Sequence, residues 1–339
     1  MPKTKKHILV IRLSAMGDVA MTVPVLRAFS QQYPNVQVTV LTREFFTPFF
    51  RDLPNISVFP IDVKENHKGF LGLFKLSREL KKLHIDGVAD LHNVLRTNIL
   101  KLFFLGNRFI QIDKGRSEKK ALISGESFQQ LKATHQRYAD VFENLGFRID
   151  LSKPTFSQAI KLNNNILSKT GSHELKWIGI APFATYVSKM YPLDALKNVI
   201  ESLSKQHKIL LFGGGNQEIE VLNTMASICD NVINLAGELS LDEELDVISN
   251  LDVMLSMDSG NAHLAAMLGK KVVTIWGVTH PFAGFSPFNQ PENYALLADR
   301  EQFPLIPTSV YGNKYPENYL EASRTISPQH IIDKINSIL

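Results

Sequence analysis

Residues 253–268 have the sequence VMLSMDSGNAHLAAML, in which a short apolar run is followed by a polar turn and a second apolar run. The first run, Val253–Met257, has the length and composition of a buried parallel strand. The turn at Asp258-Ser259-Gly260 is followed by a run of helical character up to Leu268. We therefore predict a strand–loop–helix unit, the building block of a parallel sheet.

The same alternation recurs through both halves of the chain and predicts an α/β protein with two Rossmann-like, doubly wound domains. Predicted strands cover 7–13, 36–42, 57–61, 87–91, 177–181, 208–212, 253–257 and 271–276. Predicted helices cover 70–83, 193–206, 217–229, 241–250, 264–268 and 328–339. The apolar stripe of helix 70–83, which includes Phe70 and Phe74, is predicted to lie in the core.

A polar stretch at 152–176, with Pro154 and three consecutive asparagines, is typical of a boundary between domains. We predict an N-terminal domain over 1–160 and a C-terminal domain over 161–339. Packing of the terminal helix back on the first domain is left open.

Composition favours a globular cytoplasmic protein. The chain has 339 residues, of which 44% are hydrophobic and 21% charged, and no apolar run reaches the length that a membrane span needs. The start, residues 1–6, leads directly into an apolar strand and predicts no signal peptide. The single Cys229 excludes an internal disulfide and a multi-cysteine metal site.

Positive charge is concentrated in the first half, where residues 1–150 contain 23 Lys or Arg against 14 Asp or Glu. Two basic clusters stand out, at 75–82 and 114–120. They are suited to an anionic acceptor or an anionic membrane surface, and the alternative is that they are solvated helix faces. Nucleic acid is disfavoured because the basic residues are not interleaved with aromatic residues.

Two familiar nucleotide motifs are incomplete. Gly213-Gly214-Gly215 is followed by Glu218 where a dinucleotide fingerprint needs a small residue, and Gly269-Lys270 lacks the remaining residues of a P-loop. There is no Asp-x-Asp, and the histidines show no ligand spacing. We therefore expect neither a cofactor nor a metal ion.

A first candidate site follows the first strand, in the segment Arg12-Leu-Ser-Ala-Met-Gly17-Asp18. Gly17 permits a tight turn, and a helix N-terminus favours an ionised Asp18, which then has the chemistry of a base. The alternative is that Asp18 is an N-cap residue. Because Pro24 is tolerated only in the first turn of a helix or at a kink, the regular helix is predicted to begin near Thr22.

A second candidate site is the Asp258-Ser259-Gly260 turn, where a hydroxyl and backbone N–H groups at a helix N-terminus suit a phosphate group. Asp258 would repel phosphate and is better suited to sugar hydroxyls or to orienting the loop. His263 either reaches the phosphate or packs in the core.

The loop after strand 177–181 supplies a third candidate. Lys189 has the charge to neutralise a diphosphate, with Thr185 and Ser188 donating hydrogen bonds, although a loop lysine is usually solvated. Glu218, after strand 208–212, is placed to accept from ribose hydroxyls. Its alternative is an interaction with the helix dipole.

Taken together, these residues resemble glycosyltransferase family 9, the ADP-heptose:lipopolysaccharide heptosyltransferases. The resemblance covers nearly the whole chain, with motif positions at Arg12, Ser14, Gly17, Asp18, Pro24, Asp90, Arg96, Asp258, Ser259, Gly260, His263, Ala266, Leu268, Gly269, Gly277, Thr279, Pro281 and Ile326-Ser327-Pro328.

The resemblance implies a GT-B architecture, with the acceptor on the first domain, the sugar nucleotide on the second and catalysis in the cleft. It implies an inverting, metal-independent transfer of heptose from ADP-heptose to the lipopolysaccharide inner core, a Kdo or heptose acceptor. Asp18 would be the base, and Lys189 with the Ser259-Gly260 loop would stabilise the departing ADP. The acceptor would meet Arg12, Ser14, Gly17, His92 and Arg96, at the inner leaflet of the inner membrane.

The chain departs from the family pattern in three features. His92-Asn93 replaces a usual Gln-Gly, Lys189-Met-Tyr191-Pro replaces a usual Lys-x-Trp-Pro, and the cysteines often found near the end of family members are absent. A transferase for another nucleotide sugar of cell-envelope glycan synthesis, a sugar-nucleotide epimerase and a non-catalytic nucleotide-binding protein therefore stay open as alternatives.

Overall fold

The computed structural model describes residues 6–339, which form two compact units. The first comprises residues 6–114 and 132–155, and the second comprises 115–131 and 156–339. The boundary predicted at 160/161 thus lies close to the change at 155/156, but segment 115–131 groups with the second unit. Residues 1–5, which belong to the stretch for which the sequence predicts no signal peptide, lie outside the described part.

The first unit contains a five-stranded parallel sheet in the order β3-β2-β1-β4-β5. Its strands are β1 (His7–Ile11), β2 (Gln37–Thr42), β3 (Ile56–Pro60), β4 (Gly87–Asp90) and β5 (Arg108–Gln111). Its helices are α1 (Met16–Ala20), α2 (Thr22–Gln32), α3 (Gly69–Lys81), α4 (Leu95–Leu102) and α6 (Thr134–Asn144).

The second unit contains a six-stranded parallel sheet in the order β11-β10-β9-β6-β7-β8. The strands are β6 (Trp177–Ala181), β7 (Lys208–Leu211), β8 (Val232–Asn234), β9 (Val253–Met257), β10 (Lys271–Trp276) and β11 (Ala295–Leu297). The helices are α5 (Arg116–Ser124), α7 (Asn164–Thr170), α8 (Leu193–Leu203), α9 (Asn216–Ala226), α10 (Leu241–Ser249), α11 (Gly260–Met267) and α12 (Pro328–Ile338).

The α/β class and the two doubly wound sheets are confirmed, and several elements were not anticipated. Strands β5, β8 and β11 are edge strands of three or four residues, and helix α7 lies inside the stretch predicted as a boundary. A helix does begin at Thr22, after the one-turn helix α1, so Pro24 is the third residue of α2.

Each sheet has its own apolar core. Helix α12 contributes Ile331, Ile332 and Ile335 to the core of the second unit and packs against α8. In the first unit, Leu73, Leu76 and Leu80 of α3 face the sheet.

The predicted core stripe of α3 is wrong at two residues. Phe70 is 59% exposed and Phe74 is 45% exposed, and both rings pack on Phe103, which follows α4. The inner face of α3 is already filled by its leucines, so the two phenylalanines lie beside it rather than in it.

The basic cluster at 114–120 is not uniformly solvated. Lys119 of α5 is buried, and its ammonium lies 4.1 Å from the centre of the Phe285 ring. Phe128 lies farther along the same segment, and the guanidinium of Arg300 stacks 3.5 Å from the centre of its ring. These contacts explain why 115–131 groups with the second unit.

Candidate functional site

The first group of site residues surrounds the point where the strand order of the first sheet reverses. Strand β1 leads to β2 on one side and pairs with β4 on the other, so the loops after β1 and β4 leave the same sheet edge in opposite directions. Ligands of open α/β sheets bind at such a switch point. Arg12 and Asp18 follow β1, and His92 follows β4.

Asp18 forms an ion pair with Arg12 at this edge. The Arg12 guanidinium is buried and also donates to the Leu91 carbonyl, 2.8 Å away, so its position is fixed by both loops. Asp18 is the third residue of α1, and its Oδ2 accepts from the backbone N–H of Ala15 at 3.3 Å. The N-cap is therefore Ala15 rather than Asp18, although the carboxylate does satisfy a backbone donor.

Both contacts of the Asp18 carboxylate use Oδ2, and Oδ1 has no hydrogen-bond partner among the described residues. The side chain is 29% exposed, which leaves it accessible to a ligand. The hydroxyl of the buried Tyr138 donates to the Asp18 carbonyl at 3.3 Å. Burial raises the pKa of this phenol above its usual value, so Tyr138 stays a hydrogen-bond donor.

His92 is held beside this pair by the turn after β4. Oδ1 of the buried Asp90 accepts from the backbone N–H groups of His92 and Asn93, at 3.0 and 2.9 Å. Burial lowers the pKa of the imidazole to about 3. The positive charges of Arg12 and Lys114 lower it further, Asp18 opposes them, and Arg96 has the smallest effect. His92 is therefore neutral at pH 7. Its Nδ1 is buried and has no partner among the described residues.

Three further predicted residues lie in this region. Ser14 and Gly17 are half-buried members of the same loop, and Arg96 is half-buried near the start of α4. Sequence reasoning missed Lys114 as a site residue, although its ammonium donates to the Asn93 carbonyl at 3.0 Å. The basic cluster around it was the available signal.

The second group of residues surrounds the corresponding reversal of the second sheet, between β6 and β9. Lys189, in the loop after β6, forms an ion pair of 2.9 Å with Oδ2 of Asp258, which directly follows β9. The same oxygen accepts from the hydroxyl of Thr279, in the loop after β10, at 2.8 Å. One carboxylate thus ties three loops together, and its side chain is only 9% exposed.

The contacts of Asp258 agree with the loop-orienting role, one of the two roles predicted for it. A buried carboxylate that binds a lysine and a threonine holds their loops together, and the contact with sugar hydroxyls stays a prediction. The Asp258 carboxylate is also the counter-charge of the Lys189 ammonium. The Lys189 side chain is 14% exposed and lies at the switch point of the sheet.

The loop that carries Lys189 is held by close backbone packing. The Ser188 hydroxyl is buried and donates to the Gly312 carbonyl, so it supports the loop instead of donating to a diphosphate as predicted. A Cβ at Gly277 would lie 2.6 Å from the Ser188 carbonyl oxygen, which leaves room only for glycine. Tyr191, which stands where the family has Trp, is buried and donates to the Ile326 carbonyl at 2.6 Å. Thr185 of this loop is exposed.

The predicted phosphate loop forms the N-terminus of α11. Ser259 is the N-cap residue, and its side chain makes no capping hydrogen bond; its hydroxyl lies 3.1 Å from that of Ser256. A helix start without a side-chain cap presents its N–H groups to an anion. His263, one turn later, is buried in α11, which agrees with the packing alternative.

Glu218 lies in the first turn of α9, after the glycine run. Its Oε2 accepts from the backbone N–H of Gly214 at 2.8 Å, while Oε1 has no partner among the described residues. A Cβ on Gly213 would lie 2.9 Å from Leu222, so this glycine permits the close approach of the helix. One carboxylate oxygen therefore orders the turn and the other is available to a hydroxyl.

Within residues 6–339, no group of three or more His, Cys, Asp or Glu side chains is close enough to hold a metal ion. No helix in the same range combines the length and apolar character that crossing a bilayer requires.

The sequence of this chain is similar to one protein family and to members of it. The model of glycosyltransferase family 9 (heptosyltransferase) matches residues 73–304, well over half of the sequence. A lipopolysaccharide core heptosyltransferase, OpsX of Haemophilus influenzae, is 25% identical over 85% of this chain and 83% of its own length.

Two solved structures share the fold. A family 9 glycosyltransferase from Veillonella parvula has a TM-score of 0.76 at 20% identity, over 100% of this chain and 98% of its own. The heptosyltransferase WaaC of Escherichia coli, solved with ADP-2-deoxy-2-fluoro heptose, has a TM-score of 0.67 at 17% identity, over 98% and 99% of the two chains. Both likenesses support the GT-B fold. The chain is a glycosyltransferase and belongs to glycosyltransferase family 9, the heptosyltransferase family.

Proposed function

We propose that this enzyme transfers heptose from ADP-heptose to a Kdo or heptose residue of the lipopolysaccharide inner core, with inversion at the anomeric carbon and without a metal ion or other cofactor. The observation that carries the proposal is the Asp18 carboxylate. It is accessible at a switch point, is fixed by Arg12, and keeps one oxygen without a protein partner among the described residues.

Asp18 is the proposed general base. Its Oδ1 takes the proton of the acceptor hydroxyl while the hydroxyl oxygen attacks the anomeric carbon, and the bond to the ADP oxygen breaks. Arg12 holds the carboxylate in place through Oδ2 during this step. Neutral His92 is half-buried beside this ion pair and is the proposed contact for an uncharged part of the acceptor.

The second unit is the proposed donor side. The N–H groups at the start of α11 and the ammonium of Lys189 meet the diphosphate, and their positive potential stabilises the charge that develops on the departing ADP. Asp258 directs the ammonium and lowers its conformational freedom. The open oxygen of Glu218 accepts from a ribose hydroxyl.

The excess of basic residues in the first half supports an anionic acceptor. Arg12, Arg96 and Lys114 surround His92 closely enough to affect its ionisation. A phosphorylated, carboxylate-bearing core sugar complements such a site. Because this acceptor is attached to a lipid, we also propose that the enzyme works in the cytoplasm, in peripheral contact with the inner leaflet of the inner membrane.

A transfer assay with purified protein tests this proposal directly. ADP-heptose and a deacylated Kdo-containing acceptor should give a product heavier by one heptose unit in mass spectrometry, and the core of a strain that lacks this chain should be truncated at that sugar. Calorimetry should show tighter binding of ADP than of UDP or GDP. Preference for UDP or GDP would instead support transfer of another nucleotide sugar.

A further inference from the structure

An exposed apolar patch lies on the first unit, on α3 and on α4 with the turn after it. It is formed by six large side chains, of which Leu71, Leu95 and Leu105 are 80%, 77% and 84% exposed. The other members are Phe70, Phe74 and Leu102. A group of this size is unusual on a surface that meets only water, where apolar residues are normally scattered singly.

The patch is one surface and not two unrelated groups. Phe103, which follows α4, contacts Phe70 at 5.3 Å and Phe74 at 5.5 Å between ring centres, and so joins the two helices. Leu73, Leu76 and Leu80 already bury the inner face of α3 in the core. The exposed phenylalanines are therefore additional to what folding requires of this helix.

Positive charge borders the patch. Residues 64–82 and 95–105 contain eight Lys or Arg and two Glu. Along α3 the exposed apolar side chains occupy the first half, and the exposed basic side chains Lys75, Arg78 and Lys81 follow them. Lys101 is exposed on α4, and its ammonium nitrogen lies 5.8 Å from the centre of the Phe109 ring.

Aromatic and leucine side chains next to lysines and arginines are the composition of helices that lie in the headgroup region of a bilayer. The apolar residues enter the acyl boundary, and the long basic side chains reach the phosphates. A second copy of the same strongly basic surface would be repelled, which disfavours self-association as the use of this patch.

We propose that the outer face of α3, together with α4 and the turn that follows it, is a docking surface for a bilayer that contains anionic phospholipids. The inference deepens the proposed function, because it names the surface that would bring the first unit to a lipid-linked acceptor. It also explains why the basic cluster at 75–82 stands beside phenylalanines that the fold leaves exposed.

Sedimentation of the full-length protein with vesicles tests the docking surface. The protein should pellet with vesicles of phosphatidylcholine and phosphatidylglycerol, and far less with phosphatidylcholine alone or at high salt. Replacing Phe70 and Phe74 with Ser and Leu71 with Gln should weaken partitioning roughly tenfold or more. Lys75→Glu, Arg78→Glu and Lys81→Glu combined should weaken it by about 100-fold.

Matched controls lie in the second unit, where Leu305→Gln and Lys205→Glu change exposed residues of the same kinds and should leave partitioning unchanged. If the combined variants fold poorly, the single changes Leu71→Gln and Leu102→Gln alter only exposed side chains and still test the surface. Equal sedimentation of the wild type and these variants would overturn the proposal. Light scattering that showed a dimer converted to a monomer would overturn it in favour of self-association.

The vesicle result is independent of catalysis. Variants of the patch should transfer sugar to a deacylated, water-soluble acceptor at the wild-type rate. Failure of transfer with intact vesicle binding would reject the proposed reaction and leave the docking surface in place, and the reverse outcome would reject only the surface.

Discussion

The switch point of each sheet holds one ion pair, Arg12–Asp18 in the first unit and Lys189–Asp258 in the second, and the two carboxylates are used differently. Asp258 is nearly buried, and a single oxygen serves both Lys189 and Thr279. Asp18 is more exposed, and its second oxygen has no partner within residues 6–339.

The difference shows how the same structural device can serve two purposes. The Asp258 carboxylate is engaged by side chains of its own protein, so it holds loops together and orients a lysine. The Asp18 carboxylate is held through one oxygen only, so its other oxygen can still accept a proton. We therefore expect different effects of substitution: a change at Asp18 of the first unit should lower the rate of catalysis, and a change at Asp258 of the second unit should lower stability.

The largest effect is expected for Asp18→Asn. The amide keeps the size and a hydrogen bond to Arg12 but cannot accept the hydroxyl proton, so the rate of transfer should fall roughly 10²- to 10⁴-fold. Calorimetric affinity for ADP should not change, since the proposed nucleotide residues are in the second unit. Asp52→Asn, an exposed carboxylate of the same unit, is the control. Unchanged transfer in Asp18→Asn would remove Asp18 as the base and favour a non-catalytic nucleotide-binding protein.

Asp258→Ala should have the next largest effect, as a loss of stability of about 3 kcal/mol in denaturant unfolding, because it leaves the Lys189 ammonium largely buried without its partner. The double variant Asp258→Ala with Lys189→Met should recover part of that loss, because the uncompensated charge is then gone. Asp230→Ala, on an exposed loop, should change stability little. A double variant that was less stable than Asp258→Ala would show that the pair is not the source of the effect.

A smaller effect is expected for Thr279→Val, which removes one donor to the Asp258 carboxylate while keeping the shape of the side chain. We expect a loss of about 1–2 kcal/mol, the cost of leaving a buried acceptor with one fewer hydrogen bond. Thr224→Val, in which the lost hydroxyl is exposed on α9, is the comparison. Equal stability of the two variants would mean that water replaces the threonine and that the carboxylate is less enclosed than its exposure indicates.

Much of the fold could be predicted because apolar strand runs are a local signal. The bounds of β6, β9 and β10 match the prediction residue for residue, since each is a buried run ended by a turn. The edge strands β8 and β11 were missed because three residues do not show a period. Periodicity also failed on α3, where it does not distinguish a residue in the inner face from one beside it, such as Phe74.

The candidate site was predictable as a set of loops but not as a set of contacts. The rule that ligands lie beyond the carboxyl ends of parallel strands places Asp18, Lys189 and Asp258 at the sheet edges. The pairing of Lys189 with Asp258 depends on strand order, because β6 and β9 become neighbours only when two other strands are placed on the far side. No local pattern carries that information.

The smallest effect, and the one that tests the first unit alone, concerns His92. The pKa of His92 is about 3 in the folded protein and about 6.5 in an unfolded chain. The unfolded state therefore binds more protons at any pH between these two pKa values. The free energy of unfolding is therefore highest above about pH 6.5 and falls as the pH falls, because the imidazole takes up its proton in the unfolded state. Between about pH 7 and 5 the wild type should lose about 1 kcal/mol more than His92→Gln, a figure reduced for partial solvent screening. His330→Gln, a change at an exposed histidine of α12, is the control, and identical slopes for all three proteins would show that burial does not keep His92 neutral.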